Sequence, residues 1–190
     1  MTKALLSVED EQIRSNALHL LQGEPYETAL PILAEHLRTD PSVAVREVAA
    51  QVLGELGDPR SVDWLLKAYQ SDTLEIQVKA AVALLGLGHP ESAVELVPRL
   101  AAGLDHPDGA VRQKTTQQLG SLVVRATIPY LARALQDSSG DVRIWAIQGL
   151  HAFYTPDILP LIAPLAQDPV QDVAETARDV IRSVGKGEGK

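Results

Sequence analysis

The stretch VREVAAQVLGELGDP at residues 45–59 returns as IQVKAAVALLGLGHP at residues 76–90. Both copies begin with a branched apolar residue, continue with small residues and leucines on one helical face, and end on glycine and proline. Weaker copies of the pattern start at four further anchor residues, which are Ile13, Val111, Val142 and Val173. Successive anchors lie 32, 31, 35, 31 and 31 residues apart. A period in this range is typical of a stacked array of two-helix repeats, each of which buries its core against its neighbours.

Two helices are predicted in each repeat. In the helix that starts near each anchor, apolar or small residues recur at offsets 0, 4, 8 and 11, the stripe of an amphipathic helix. The preceding helix is marked by a proline, which costs no hydrogen bond in a first turn. The marker prolines are Pro31, Pro98, Pro129 and Pro160. We predict first helices at 27–38, 61–70, 91–104, 126–136 and 157–167, and second helices at 10–22, 42–56, 73–87, 109–123, 139–153 and 170–184.

The composition fits one domain with a sizeable core and excludes several classes of function. The 190 residues are 45% apolar, and 25 acidic against 17 basic residues give a net charge of −8, which disfavours nucleic acid as a partner. Cysteine is absent, which excludes disulfides, thiolate catalysis and a cysteine zinc site. No apolar run is long enough to predict a membrane span. We expect a cytoplasmic protein with a solenoid over 1–185 and a flexible tail at 186–190.

The run ATIPYLARALQDSSGDVRIWAIQGL at residues 126–150 resembles the HEAT-like repeat, in the short form named for phycobilisome lyases. The resemblance extends over nearly the whole chain. It implies an all-α fold, a right-handed α-solenoid of about six two-helix repeats with a truncated first repeat. First helices would line its convex side and second helices its concave side.

Proteins of this type include bilin lyase subunits, adaptors, DNA glycosylases and the di-iron deoxyhypusine hydroxylase. The hydroxylase type needs paired His-Glu motifs as iron ligands, and this chain has no His-Glu dipeptide. The glycosylase type needs a basic concave surface, which the net charge disfavours.

Residues that depart from the internal consensus are candidates for function. Offsets 2, 6 and 9 of the second helices should face the concave side, and they are polar or small in the second and fourth repeats. The third and fifth repeats are more apolar there. We predict a protein-binding surface formed by Val78, Val82, Leu85, Ile144, Ile147, Gln148 and His151. The alternative interpretation is that neighbouring repeats bury these residues.

A second candidate surface lies on the first helices. Trp64 and Tyr130 occupy the position one residue after the proline position, which should be at least partly exposed on the convex side. Aromatic residues at such sites can anchor a partner. They could instead cover the seams between adjacent first helices.

A basic residue follows the anchor in four repeats, with an aspartate such as Asp40, Asp105 or Asp137 a few residues upstream of an anchor. The four are Arg14, Arg46, Arg112 and Arg143. We interpret them as a structural ladder, in which each arginine bonds a loop carboxylate or carbonyl of the neighbouring repeat. The family resemblance also implies an alternative role in bilin binding, through Arg112, Arg143, Trp145 and His151.

Other reactive groups are dispersed. None of the five histidines has a second histidine at metal-ligand spacing, so we predict neither a metal nor any other cofactor. These observations favour a non-catalytic scaffold or adaptor that binds another protein. The alternative is a bilin lyase-like subunit or phycobilisome-associated factor that handles a phycobiliprotein or its tetrapyrrole. Leu5, Leu6 and Val8 leave the first repeat less obviously sealed, so an oligomer contact or another subunit could cover that edge, or the edge could fray.

Overall fold

A computed structural model describes residues 6–185, and all regular elements within that range are helical. The α-helices are α1 (Glu11–Leu20), α2 (Tyr26–Thr39), α3 (Val43–Leu56), α4 (Val62–Ser71), α5 (Leu74–Gly86), α6 (Glu91–Ala101), α7 (Gly109–Ser121), α8 (Ile128–Ala134), α9 (Gly140–His151), α10 (Leu159–Ile162) and α11 (Gln171–Gly185). Short 3-10 turns are Leu21–Gly23, Pro59–Ser61, Ala102–Asp105, Arg125–Thr127, Pro156–Ile158 and Ala163–Gln167. The predicted all-α repeat solenoid is confirmed.

Local capping explains where several helices begin and end. The Asp10 carboxylate accepts hydrogen bonds from the first-turn amides of α1, and Ser42 caps α3 in the same way. Gly57 ends α3 in the left-handed region, at a φ of 67°. Each predicted second helix lies within two residues of the observed one at both ends.

The first helices differ more from the prediction. Pro31 and Pro98 lie inside α2 and α6 rather than in a first turn, whereas Pro129 and Pro160 follow the first residues of α8 and α10. The later first helices are short and are extended by 3-10 turns.

The described chain packs as two compact units, divided between Ala93 and Val94 inside α6. In the first unit α1, α3 and α5 stack side by side, and α2 and α4 pack alongside them. The core of this unit includes the fully buried Leu18, Leu33, Val45, Leu53, Leu65, Ile76 and Leu84. The anchors Val45 and Ile76 are therefore core residues, as the repeat pattern predicts.

In the second unit α7, α9 and α11 form the corresponding stack, with α8 packed against α7 and α9. Backbones approach closely here. A Cβ atom added at Gly120 of α7 would lie 2.9 Å from the Cα atom of Gly149 in α9. Small residues at these positions are required because any side chain would push the two helices apart.

Two predictions concern the ends of the chain. The tail predicted at 186–190 lies outside the described residues, as does Leu5. Leu6 is buried, and Val8 is 36% exposed. The oligomer contact predicted at this edge stays a prediction.

Candidate binding surfaces and the arginine ladder

In the second unit, Arg112 and Arg143 form bidentate ion pairs with aspartates of the following repeat. The Nε and Nη2 atoms of Arg112 donate to the Asp137 carboxylate at 2.7 and 2.9 Å. Arg143 donates in the same way to Asp168 at 2.8 and 2.7 Å. The Nη1 atom of Arg143 also donates to the carbonyl oxygen of Asp137 at 2.7 Å. Arg143 therefore joins the loop before α9 to the loop before α11.

The first unit repeats this arrangement. Arg14 donates to the Asp40 carboxylate at 2.9 and 2.8 Å, and Arg46 donates to Asp72 at 2.9 Å through both Nε and Nη2. The Nη1 atom of Arg46 reaches the carbonyl oxygen of Asp40 at 2.8 Å. The structural ladder that the sequence predicted is confirmed in both units.

Two positions depart from the ladder. Asp105 is exposed, and its carboxylate lies 3.4 Å from Nη2 of Arg133. Gln77 replaces arginine in the third repeat, and its side-chain amide donates to the carbonyl oxygen of Asp72 at 3.1 Å. The glutamine thus keeps a carbonyl bond of the ladder.

The ladder carboxylates are acceptors that stay ionised at neutral pH. Burial raises the pKa of Asp40, but hydrogen bonds from Arg14, the Ser42 amide and His36 outweigh it and lower that pKa to about 2. The hydrogen bond from Arg143 lowers the pKa of Asp168 as well. A charged pair in which both the guanidinium and the carboxylate are hydrogen-bonded has the structural role of joining two repeats.

This geometry bears on the bilin-contact residues. The guanidinium groups of Arg112 and Arg143 are occupied by their aspartates, and Arg143 is only 9% exposed. Trp145 is half-buried, and Nε2 of His151 lies 3.1 Å from the Ser183 hydroxyl oxygen. Arg143 and His151 stand at opposite ends of α9, about 12 Å apart along its axis. The bilin role of these residues stays a prediction.

The predicted second-helix surface is only partly exposed. Val78 is 4% exposed, since the helices packed around α5 cover it, and Ile147 is fully buried. Both assignments to an exposed surface are wrong. Ile147 shares its repeat position with Ala50 and Ala81, which are also fully buried, so that position faces the packed side of the second helix.

The other residues of this surface keep contact with solvent. Val82 and Leu85 of α5 are half-buried, and so are Ile144 and His151 of α9. Gln148 is exposed. In the first unit, the open apolar part of the predicted surface is thus reduced to Val82 and Leu85.

On the first helices, both aromatic residues are half-buried. Trp64 lines a groove of about 420 Å³ between α2 and α4 in the first unit. The residues lining the groove are Pro31, Ala34, Glu35, Leu37, Arg38, Trp64, Lys67, Ala68, Ser71 and Asp72. Sequence reasoning singled out Trp64 but missed the groove, because the space depends on the short side chains of Ala34 and Ala68, which are ordinary helix residues in the sequence.

Two strained residues also escaped the sequence reasoning. Val123 and Tyr154 adopt positive φ angles of 43° and 47°, in the region that favours glycine. They occupy the repeat position that is Gly57 and Gly88 in the earlier repeats. Both are exposed, and the Tyr154 hydroxyl lies 3.3 Å from the carbonyl oxygen of Ser183. The signal in the sequence was the loss of glycine at this repeat position in the two later repeats.

Stacked helix pairs, a nearly constant repeat period and an arginine ladder between repeats define an α-solenoid repeat protein. The family model of HEAT repeats matches residues 1–86, 30–102 and 97–182. The chain belongs to the HEAT-repeat family.

The chain is similar to proteins that carry different names. Mouse deoxyhypusine hydroxylase is 31% identical over 107 residues, which make up 55% of this chain and 34% of the hydroxylase. The chain thus spans about a third of that relative's length. The YIBA protein of E. coli has a TM-score of 0.55 at 20% identity, over 95% of this chain and 68% of that one.

The complex of CpcE and CpcF of phycocyanin lyase from Nostoc sp. PCC7120 has a TM-score of 0.52 at 18% identity. The match covers 96% of this chain and 93% of the other. Likeness at these identities shows a shared fold.

The described residues show no donor set for the di-iron centre of the hydroxylase type. Within residues 6–185, no three His, Asp or Glu side chains are grouped so that they could hold a metal ion. His89 and His106 lie in turns before prolines, and the remaining histidines stand on separate helices.

None of the described helices is both long and apolar enough to span a bilayer.

Proposed function

We propose that this protein is a non-catalytic scaffold that binds another protein through its second-helix surface. The observation that carries the proposal is the partial exposure of Val82 and Leu85 on α5. The equivalent residues of α3 are Gln51 and Gly54. Apolar side chains in place of polar or small ones, at solvent-accessible positions of a regular array, are typical of an interaction surface.

The charges on the chain support a scaffold. The ladder arginines hold loop carboxylates and backbone carbonyls, so they stabilise the array and present little charge to a substrate. Within each unit the paired arginines hold successive repeats together before binding, which lowers the entropic cost of association.

The test is affinity capture from the source cells with the tagged chain, followed by capture with Val82→Glu. We expect the variant to lose the captured protein and to keep its helicity, with a melting temperature near that of the parent chain, because part of the Val82 side chain is open to solvent. Gln117→Glu is the matched control, since Gln117 occupies the same repeat position on α7, is exposed and gains the same charge. Undiminished capture by Val82→Glu would contradict the proposal, and a collapse in stability would mark Val82 as a core residue.

A second candidate function is that of a bilin lyase-like subunit or phycobilisome-associated factor. It is favoured by the fold that the chain shares with the CpcE and CpcF complex over 96% of its length. Adding phycocyanobilin to the purified chain tests it directly. A shift in the absorption or fluorescence of the bilin would support this candidate, and an unchanged spectrum would contradict direct bilin handling.

A further inference from the structure

The groove between α2 and α4 has the size of a binding site. Its volume of about 420 Å³ lies in the range of ligand pockets, roughly 300–1,000 Å³. Ala34 and Ala68 line the groove with short side chains that leave space, and the half-buried Trp64 offers a large apolar contact area. An aromatic residue beside an unfilled groove can pack against an apolar side chain of a partner.

A second groove, of about 350 Å³, lies on the other side of α2. It is lined by Leu6, Ser7, Pro31, Ile32, Glu35 and His36. Pro31 and Glu35 line both grooves, so the outer edge of α2 separates them. An extended peptide that crosses α2 could place one apolar side chain in each groove, whereas a compact small molecule would occupy only one.

The charges along the first groove identify the chemistry of its occupant. Arg38 is neutralised by Glu35 at 2.7 Å, and Asp72 is neutralised by Arg46 at 2.9 Å. The ammonium group of Lys67 makes no ion pair with any residue in the described range 6–185 and is exposed. The lining of the groove therefore includes one lysine that has no ion pair within that range, beside an apolar surface.

We propose that this groove binds an extended segment of a partner protein in which an apolar residue is followed closely by an aspartate or glutamate. This proposal rests on the proposed scaffold function and names a second surface for it. The apolar residue packs on Trp64, and the carboxylate pairs with Lys67. The chain's net charge of −8 does not prevent this contact, because charges beyond about 8 Å are largely screened at physiological salt.

A random peptide library displayed on phage tests the proposal with the intact chain as the target. We expect the enriched peptides to share an apolar residue next to an acidic one. Lys67→Glu should weaken their binding by about fivefold or more, which corresponds to the loss of one exposed ion pair and its replacement by repulsion. Lys114→Glu, on the exposed Lys114 of α7, is the charge-matched control and should leave binding unchanged.

Fluorescence shows where the peptides bind. Trp64 and Trp145 are the two tryptophans of the chain, so Trp145→Phe leaves Trp64 as the single reporter. An enriched acidic peptide should shift Trp64 emission, and the same peptide with lysine in place of each acidic residue should not. The proposal is overturned if no peptide is enriched, if enriched peptides lack acidic residues, or if Lys67→Glu binds them as well as the parent chain.

The two functional proposals can fail separately. If Val82→Glu abolishes capture of the natural partner while Lys67→Glu has no effect on peptide binding, the groove proposal fails and the scaffold proposal stands. If the parent chain captures no partner but enriches acidic peptides that depend on Lys67, the second-helix surface was the wrong assignment.

Discussion

Replacing Arg143 by methionine should destabilise the second unit far more than the same change at Arg125. The Arg143 and Asp168 side chains are 10% and 8% exposed, and two hydrogen bonds of 2.8 and 2.7 Å join them. The pair of Arg125 with Asp157 is equally short, at 2.7 Å, but its side chains are 70% and 52% exposed. The two variants thus delete the same group from a buried and from an exposed ion pair.

The expected magnitudes follow from burial. Removing one partner of a buried pair costs about 3–5 kcal/mol, because the other charge is left without compensation. Asp168 would keep the hydrogen bond from the Val170 amide at 2.9 Å, so we expect about 3 kcal/mol for Arg143→Met. For Arg125→Met we expect at most about 0.5 kcal/mol, since exposed pairs contribute little.

Urea unfolding in a Trp64→Phe background, where Trp145 is the single tryptophan, measures the difference, because Trp145 lies two residues from Arg143 on α9. With a denaturant slope of about 2 kcal/mol per molar urea, the midpoint should fall by about 1.5 M in Arg143→Met. The double variant Arg143→Met/Asp168→Asn should recover part of that loss, because no unpaired carboxylate remains. Equal midpoints for Arg143→Met and Arg125→Met would refute the structural role of the ladder.

Two further predictions concern helix contact and pH. Gly120→Ala should destabilise the fold by about 1–3 kcal/mol, because the new Cβ would lie 2.9 Å from a backbone atom of α9. Gly86→Ala, where nothing lies within 4 Å of the added Cβ, should instead be neutral or stabilising by up to about 1 kcal/mol, as thermal unfolding of both variants would show. The lowered pKa of Asp40, about 2 against an ordinary 3.8, contributes about 2 kcal/mol above that ordinary value, and this is lost as the pH falls through the folded-state pKa. Asp40→Asn should therefore flatten the decline of the urea midpoint between pH 4 and pH 2, and an unchanged slope would contradict the assignment.

The repeat pattern allowed the helices and the core to be predicted. Val45 and Ile76 are both anchors of the period and fully buried, because a regular array places equivalent residues in equivalent surroundings. The arginine ladder was predictable for the same reason. Which aspartate each arginine pairs with was not predictable. Arg112 pairs with Asp137 of the following repeat, whereas Asp105 lies near Arg133.

Exposure of single residues could not be predicted from the period. Val78 and Ile144 share a repeat position, yet Val78 is 4% exposed and Ile144 is half-buried. Their burial depends on the side chains of neighbouring helices, which vary between repeats. The groove escaped prediction for a similar reason, because Ala34 and Ala68 are ordinary helix residues until two helices bring them together.

The ladder also gives successive repeats the same joining contact. Arg112 and Arg143 lie 31 residues apart, and each reaches a carboxylate that belongs to the next repeat along the chain. A tandem duplication of one repeat would carry its own arginine and its own aspartate. Its arginine would pair with the aspartate of the following repeat, and its aspartate would pair with the arginine of the preceding repeat. An array jointed in this way can lengthen by gene duplication without the invention of a new interface.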